Sequence, residues 1–252
     1  MHKHIVVFSG AGISAESGIQ TFRDSGGLWE QHAIEDVATP EAFARNPTLV
    51  LDFYNMRRRN VLAAQPNAAH IAIAKLQQHA HAGNLKVSVI TQNIDDLHER
   101  AGSTNVLHLH GEILKARSCA DENLIYDIPL RNKNDSDIHL GDLCEKGHQL
   151  RPHIVWFGEA VPMFDKACDI AATADILLVV GTSLAVYPAA SLVNEVNQHC
   201  EIYVIDPHIE KQNSRWHLIR DTAANGVPTL VEQLIAELSV TKPSLTERRT
   251  AE

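Results

Sequence analysis

Apolar residues along this chain come in short dense runs, spaced by stretches with helical periodicity. Ile5-Val6-Val7-Phe8 is wholly apolar, so residues 3–9 predict a strand buried on both faces. Lys86–Thr91 alternates and then turns apolar, and Val106–Leu109, Asp175–Val180 and Glu201–Ile205 repeat the signature. Ile154–Phe157 predicts one more strand. Helical segments lie between. Thr39-Pro40-Glu41 and Asn46-Pro47 each place a capping side chain before a proline at the first helical position. The second opens a helix carrying Leu49, Val50, Phe53, Tyr54 and Met56, then Arg57-Arg58-Arg59. Further helices are expected from about Ser14, over Ala68–His81, Asp95–Ala101, Phe164–Thr173, Pro188–Gln198 and Thr229–Leu238. Residues 116–150 are Asn/Asp-rich and aperiodic, which reads as a loop-rich insertion with at most short strands.

Strands alternating with helices predict an α/β fold, a doubly wound parallel (Rossmann-like) sheet with a smaller inserted helical and loop module. Residues 1–30, 79–111 and 153–239 are assigned to the sheet domain. Residues 31–78 and 112–152 form the small module, and 240–252 a flexible tail. Ligands of such sheets bind outside the carboxyl ends of the strands. Gly10, Gln92, Gly181 and Asp206 all stand directly after predicted strands.

The segments at those ends carry candidate chemistry. Gly10-Ala11-Gly12 follows the first strand, with Gly18 six residues after Gly12. Bare glycines let a ligand approach, and a helix starting near Ser14 would turn its N–H groups toward a phosphate. A plain strand-to-helix turn fits the same residues. Thr21–Trp29 is rich in Gly, Ser and Asp and reads as a mobile loop. Arg23 there suits a phosphate, a carboxylate or a surface ion pair. Gln92-Asn93-Ile94-Asp95 offers two amides and a carboxylate, for ribose hydroxyls and a carboxamide or for turn capping. His110, before Gly111, has the chemistry of a general base at neutral pH, although the chain has 15 histidines and His108 is a close neighbour. Gly181-Thr182-Ser183 would let a nucleotide approach, or simply turn. Val155–Glu159 could add a strand to a bound peptide, with Trp156 reading as core. Tyr54 and Arg57, three apart on one helical face, would together bind a carboxylate. Spacing alone admits Arg58 equally, and a solvated basic patch remains open.

Composition narrows the classes. A net charge of −9 argues against a nonspecific nucleic-acid binder and is compatible with basic, lysine-bearing protein substrates. No apolar run approaches the roughly 20 residues of a membrane helix. The N-terminal run is too short, and too soon broken by Gly10, for a secretory signal. The expectation is a cytoplasmic protein. Cys119, Cys144, Cys168 and Cys200 are far apart, with no pattern of a disulfide scaffold. The oligomeric state is open, with a monomer plausible.

The segment Gly10–Arg23, read GAGIS-x-x-SGI-x-x-FR, resembles the cofactor loop of the sirtuin family, the NAD-dependent protein deacylases. Gln20-Thr21 stands where many members have Pro-Asp. The resemblance recurs in order at Thr91–Asp95, His110-Gly111, Val155–Glu159 and Gly181–Ser183, covering residues 3 to about 232. It implies NAD as co-substrate, bound by Gly10, Ala11, Gly12, Ser14, Gly18, Phe22, Arg23, Trp29, Gln92, Asn93, Ile94, Asp95, Gly181, Thr182 and Ser183. Asp206 replaces the family's common Asn at the adenosine ribose, and Ala223 is placed there by alignment. His110 and Asn93 are implied to be catalytic. The acyl-lysine carbonyl oxygen would attack the ribose carbon as nicotinamide leaves, and His110 would then activate a ribose hydroxyl. The products would be free lysine, nicotinamide and O-acyl-ADP-ribose. Val155, Phe157, Gly158 and Glu159 would hold the acyl-lysine peptide. Tyr54-Asn55-Met56-Arg57 resembles the Tyr-x-x-Arg of the subgroup that removes succinyl and malonyl groups, which selects Arg57 and implies acetyl removal as a weaker activity. A mono-ADP-ribosyltransferase or a non-catalytic NAD-binding sensor would use the same cleft. Sirtuins usually carry two Cys-x-x-Cys pairs that bind zinc. Here Cys119 and Cys144 each stand alone, with His148 a conceivable third ligand, and zinc is not expected.

Overall fold

The computed structural model describes residues 3–21, 28–29, 32–81, 85–129, 135–209 and 213–240. Its strands, in chain order, are β1 (Lys3–Ser9), β2 (Leu28–Trp29), β3 (His32–Ala33), β4 (Leu85–Thr91), β5 (Val106–His108) and β6 (Gly111–Ser118). They continue with β7 (Ile125–Asp127), β8 (Leu150–Ile154), β9 (Ile176–Val180), β10 (Glu201–Ile205) and β11 (Trp216–Ile219). The helices are α1 (Ile34–Val37), α2 (Pro40–Arg45), α3 (Pro47–Ala63), α4 (Ala68–His81), α5 (Leu97–Arg100), α6 (Phe164–Ala172) and α7 (Ala223–Val240). Two 3-10 segments cover Ala11–Ser17 and Ala189–Asn194.

The wholly apolar run before Gly10 becomes the central strand. β1 pairs in parallel with β4 on one side and β9 on the other. The sheet runs β11-β10-β9-β1-β4-β5, all parallel, which is the doubly wound order with its switch point between β1 and β9. Both faces of β1 are covered. Val6 and Phe8 pack with Leu177 and Val179 against Ala167 and Ala171 of α6 and Leu192. Ile5 and Val7 pack with Leu178 against Ile73 and Leu76 of α4 and Leu230 and Leu234 of α7. Alternate residues of the run thus serve two separate cores, which is why it has no polar face.

The small module consists of α1–α3 and an antiparallel sheet in the order β7-β6-β8. Its core joins Val50, Phe53 and Tyr54 of α3 to Ile113, Ile154 and Trp156. The expected caps are in place: Thr39 Oγ1 accepts from the Ala42 N–H at 3.0 Å, and Asn46 Oδ1 from Leu49 N–H at 3.1 Å.

Several expectations are corrected. The helix α4 packs on the large sheet with α7, so the module boundary expected at residue 78 lies before this helix. The helix expected from Ser14 is a 3-10 turn beginning at Ala11. The strand expected over Ile154–Phe157 is β8, and residues 155–159 form a turn after it. Pro188–Gln198 is a short 3-10 segment rather than an α-helix. The last helix starts at Ala223 although Pro228 lies inside it. Its first turn is capped from far away in sequence, with Glu16 Oε2 accepting from Ala224 N–H at 2.8 Å. β6 and β11 were not foreseen. β6 mixes buried and half-buried positions without period-2 alternation, and β11 carries Trp216 and His217 rather than an apolar run. The expected tail from residue 241 onward lies outside the described residues.

Candidate functional site

At the switch point the ends of β1 and β9 touch. Gly10 N–H donates to Val180 O (3.0 Å) and Gly12 N–H to Gly181 O (2.8 Å). A Cβ on Gly12 would lie 2.7 Å from Gly181 Cα, so these glycines first let two backbone segments meet. Beyond that contact opens a cleft of about 400 Å³. Of the residues singled out by sequence, it is lined by Gly10, Ala11, Gly12, Ser14, Tyr54, Arg57, Gln92, Asn93, Ile94, Asp95, His110, Val155, Phe157, Gly158, Glu159, Gly181, Thr182, Ser183, Asp206 and Ala223. Gly18 is not among its walls. It ends the Ala11–Ser17 turn in the left-handed conformation, φ 85°. Phe22 and Arg23 lie outside the described residues, as does the side chain of Trp29.

Polar groups on the floor are bonded into a network. Ser14 is buried, donates from Oγ to Asp95 Oδ2 (3.0 Å) and accepts from Asn93 Nδ2 (3.1 Å). Asn93 N–H is in turn held by Thr91 Oγ1 at 3.0 Å. Burial raises the Asp95 carboxyl, and hydrogen bonds from Leu97 N–H and Ser14 work against that shift. Gln92 Nε2 donates to Thr182 Oγ1 at 3.1 Å and ties the end of β4 to the end of β9. Asp206 is buried and accepts from His208 N–H at 2.8 Å.

Two histidines hang from neighbouring carbonyls of this floor. His108 Nδ1 lies 2.9 Å from Asn93 O, and His110 Nδ1 3.0 Å from Gln92 O. A carbonyl only accepts, so each ring carries a proton on Nδ1. His108 Nε2 lies 2.9 Å from Glu99 Oε1, a carboxylate that also only accepts, so this ring bonds both partners when doubly protonated. Burial would lower its pKa, but the Glu99 bond and charge outweigh burial and raise it. For His110, burial lowers the pKa and the Gln92 bond only partly offsets this. His110 therefore stays neutral near pH 7 and lines the cleft with Nε2 unprotonated, an arrangement that can serve as a base.

The far wall comes from α3 and the turn after β8. Three consecutive arginines of α3 separate onto three surroundings. Arg57 is buried and lines the cleft with Tyr54. Arg58 is fully buried elsewhere, donating to Ile113 O (2.7 Å), Asn55 Oδ1 (2.8 Å) and Ser136 O (3.0 Å). Burial pushes its pKa down to about 10. Arg59 is exposed and pairs with Asp137. The basic patch reading thus holds for Arg59 alone, and Arg57 rather than Arg58 shares the cleft with Tyr54. Burial pushes the Tyr54 phenol well above its usual range, with Arg57 opposing the shift. Tyr54 stays protonated and can donate. Trp156 is 2% exposed, packed on Phe43 (5.4 Å between ring centres) and near Tyr54 (6.2 Å).

In the turn after β8, Val155 N–H donates to His110 O (2.9 Å) and Phe157 N–H to Ala38 O (3.0 Å). A peptide lying here would meet this segment mainly through its carbonyls. Phe157, 41% exposed, and Tyr187, 70% exposed, both line the cleft. Sequence reasoning missed Tyr187, Val186, Val161 and Ala38 among the cleft walls. None belongs to a strand-end motif, so no local signal marked them.

Among the described residues no group of three or more His, Cys, Asp or Glu side chains is placed to hold a metal. Cys144 packs with Leu51, Ala116, Ile138 and Leu150, and its thiol donates to Ser118 Oγ at 3.4 Å, while Cys119 is exposed. This donor set does not fit a closed zinc site.

The sequence pattern of the Sir2 family matches residues 10–188. A curated NAD-dependent protein deacylase of Helicobacter pylori strain J99 is 49% identical over 237 residues, covering 92% of this chain and 96% of that protein. One from Vibrio cholerae is 46% identical over 252 residues, covering 96% and 98%. Among solved structures, a Sir2 homologue–NAD complex superposes with a TM-score of 0.80 at 40% identity, covering 94% of this chain and 90% of its own. A Sir2–p53 peptide–NAD+ complex gives 0.72 at 29% identity, covering 94% of each. With its doubly wound sheet, its switch-point glycines and its neutral cleft histidine, this chain belongs to the Sir2 family, the sirtuins.

Proposed function

We propose that this chain is an NAD-dependent protein-lysine deacylase that removes succinyl and malonyl groups in preference to acetyl. Sir2 membership and the curated deacylases it resembles support the reaction class. The acidic preference rests on one observation, the burial of Tyr54 and Arg57 side by side on the cleft wall. A buried guanidinium next to a protonated phenol binds a carboxylate with a charge-assisted fork and one further donor. An acetyl group ends in a methyl where succinyl and malonyl carry a carboxylate, and so offers these donors no charged partner.

NAD bound along Gly10–Ser14, Gln92–Asp95 and Gly181–Ser183 would supply an electrophilic ribose carbon and a leaving nicotinamide. Gly10, Ala11, Gly12 and Ser14, with Gly181–Ser183, are short residues lining the cleft and would lie along the phosphates. The Ser14–Asn93–Asp95 network fixes Asn93 toward the ribose. His110, neutral and with Nε2 directed to the cleft, takes a proton from a ribose hydroxyl. Phe157 and Tyr187 cover the mouth where acyl-lysine enters. The proposal includes a small module that folds without zinc, supported by the apolar surroundings of Cys144. One zinc per chain by elemental analysis would overturn that part. It also includes a cytoplasmic setting, with which four free thiols agree.

The test is mass-spectrometric turnover with NAD and one peptide carrying either acetyl-lysine or succinyl-lysine. Faster loss of succinyl is expected. Loss of acetyl alone removes the carboxylate receptor. NAD binding without turnover points to a sensor, and nicotinamide release without acyl peptide to a transferase.

A further inference from the structure

On the cleft wall, Glu159 is bonded more heavily than a substrate ligand needs to be. Its carboxylate accepts five hydrogen bonds. Arg151 gives two, at 2.7 and 3.0 Å, and Arg117 Nη2 gives two, at 3.1 and 3.2 Å. The fifth comes from the backbone N–H of Trp156 at 2.7 Å. Arg151 also donates to Ile154 O at 3.0 Å, and its guanidinium lies 3.2 Å from the centre of the Trp156 ring. The arginine side chains are 11% and 7% exposed. Burial would raise the Glu159 carboxyl, but the Arg151 and Trp156 bonds outweigh it and hold it below the usual range.

We infer that Glu159 and Arg151 are positioning residues for acyl-lysine, fixing the Trp156 ring beside Tyr54 and closing the Trp156–Glu159 turn without touching substrate. The lone pairs of a carboxylate bonded five times are already used, so it has little left for a cation on a passing peptide. Arg151 is suited to its place because a planar fork can pair with a carboxylate and stack on indole together. A lysine has the charge but neither the fork nor the flat face. The kinetic consequence rests on the deacylase reading, and the structural one does not.

The experiment uses the full chain with Glu159→Gln and Arg151→Lys, and Trp156→Phe as reference. Trp156 emission is obtained as the difference between each protein and the same protein carrying Trp156→Phe. Both variants are expected to change this emission in the free protein, because the stacked guanidinium leaves or shifts. They are expected to raise KM for acyl peptide on the order of tenfold, since small misplacements of a pocket wall are costly. KM for NAD should stay within about twofold. The peptide effect should be the same whether residues flanking the acyl-lysine are acidic or basic. A rise confined to peptides with basic flanks would mean that Glu159 reads the peptide directly, and would overturn the inference. Unchanged Trp156 emission in both variants would also overturn it. If the unmutated protein turns over no acyl peptide, the deacylase reading fails while the emission measurement still decides the positioning role.

Discussion

The two ends of the cleft are built differently. The end assigned to the cofactor under the proposed function is made of backbone and short side chains where parallel strands stop: Gly10, Gly12, Gly181, Ser14 and Asn93. The end assigned to the acyl group is made of long side chains, Tyr54 and Arg57 from a helix and Trp156 from a turn. Backbone at a strand end is placed by the whole sheet and is hard to alter singly. A side chain on α3 can be exchanged while the strand ends stay where the sheet holds them. This contrast predicts that reaction type and acyl preference separate by mutation.

The largest effect is expected from His110→Ala, which on the proposed reading removes a base shared by every substrate. Values of kcat/KM should fall by about 10²- to 10⁴-fold for acetyl and succinyl peptides alike. Unequal losses would break the comparison. The pH profile sharpens it. His110 acts when neutral and burial lowers its pKa, so the acid limb of kcat/KM should lie below pH 6.5 for both acyl groups.

Next in size is an effect on stability, at a buried histidine pair under the end of β1. His70 is fully buried beside His98, with ring centres 5.0 Å apart, and burial lowers its pKa to about 4. His98 is lowered as well, by burial first and then by its histidine neighbours. The unfolded chain binds protons at these groups near pH 6.5 and the folded chain does not. Stability is therefore present above pH 6.5 and is lost as pH falls toward 4, by about 3 kcal/mol from His70 alone at roughly 1.4 kcal/mol per pKa unit. Urea midpoints across that range in wild type and His70→Asn would show it as a flatter profile in the variant.

Arg57→Met should cut desuccinylation on the order of tenfold to hundredfold, matching about 1.5–3 kcal/mol for a charged hydrogen bond. Deacetylation should change by less than about threefold. Equal losses would place Arg57 with the shared machinery. The smallest effect is expected from Asn46→Ala, which removes the cap of α3. Unfolding free energy should fall by about 1 kcal/mol with acyl preference unchanged.

The parts of the molecule read correctly from sequence share one property, that a few adjacent residues determine them. The run Ile5–Phe8 was legible as a central strand because both its faces are apolar. Thr39 and Asn46 were legible as caps because the partner is three residues on. What escaped depends on distant partners. Glu16 caps α7 across 208 residues, at a helix start that lies before Pro228. Glu159 takes Arg117 from 42 residues away, so a residue that reads as a peptide contact sits in an internal ion cluster. The choice between Arg57 and Arg58 needed the register of α3 against Ile113, which periodicity alone does not supply.

The contact of Gly12 N–H with Gly181 O joins residues 169 apart in sequence, 181 minus 12. Closing a loop of that size costs more entropy than forming local helices or the β1–β4 pair, and is expected to follow them. A nascent chain that has not yet released β9 lacks the Gly12–Gly181 contact. On the proposed reading such a chain has Arg57 in hand but no place for the dinucleotide, so affinity for NAD doubles as a report that β9 has docked on β1.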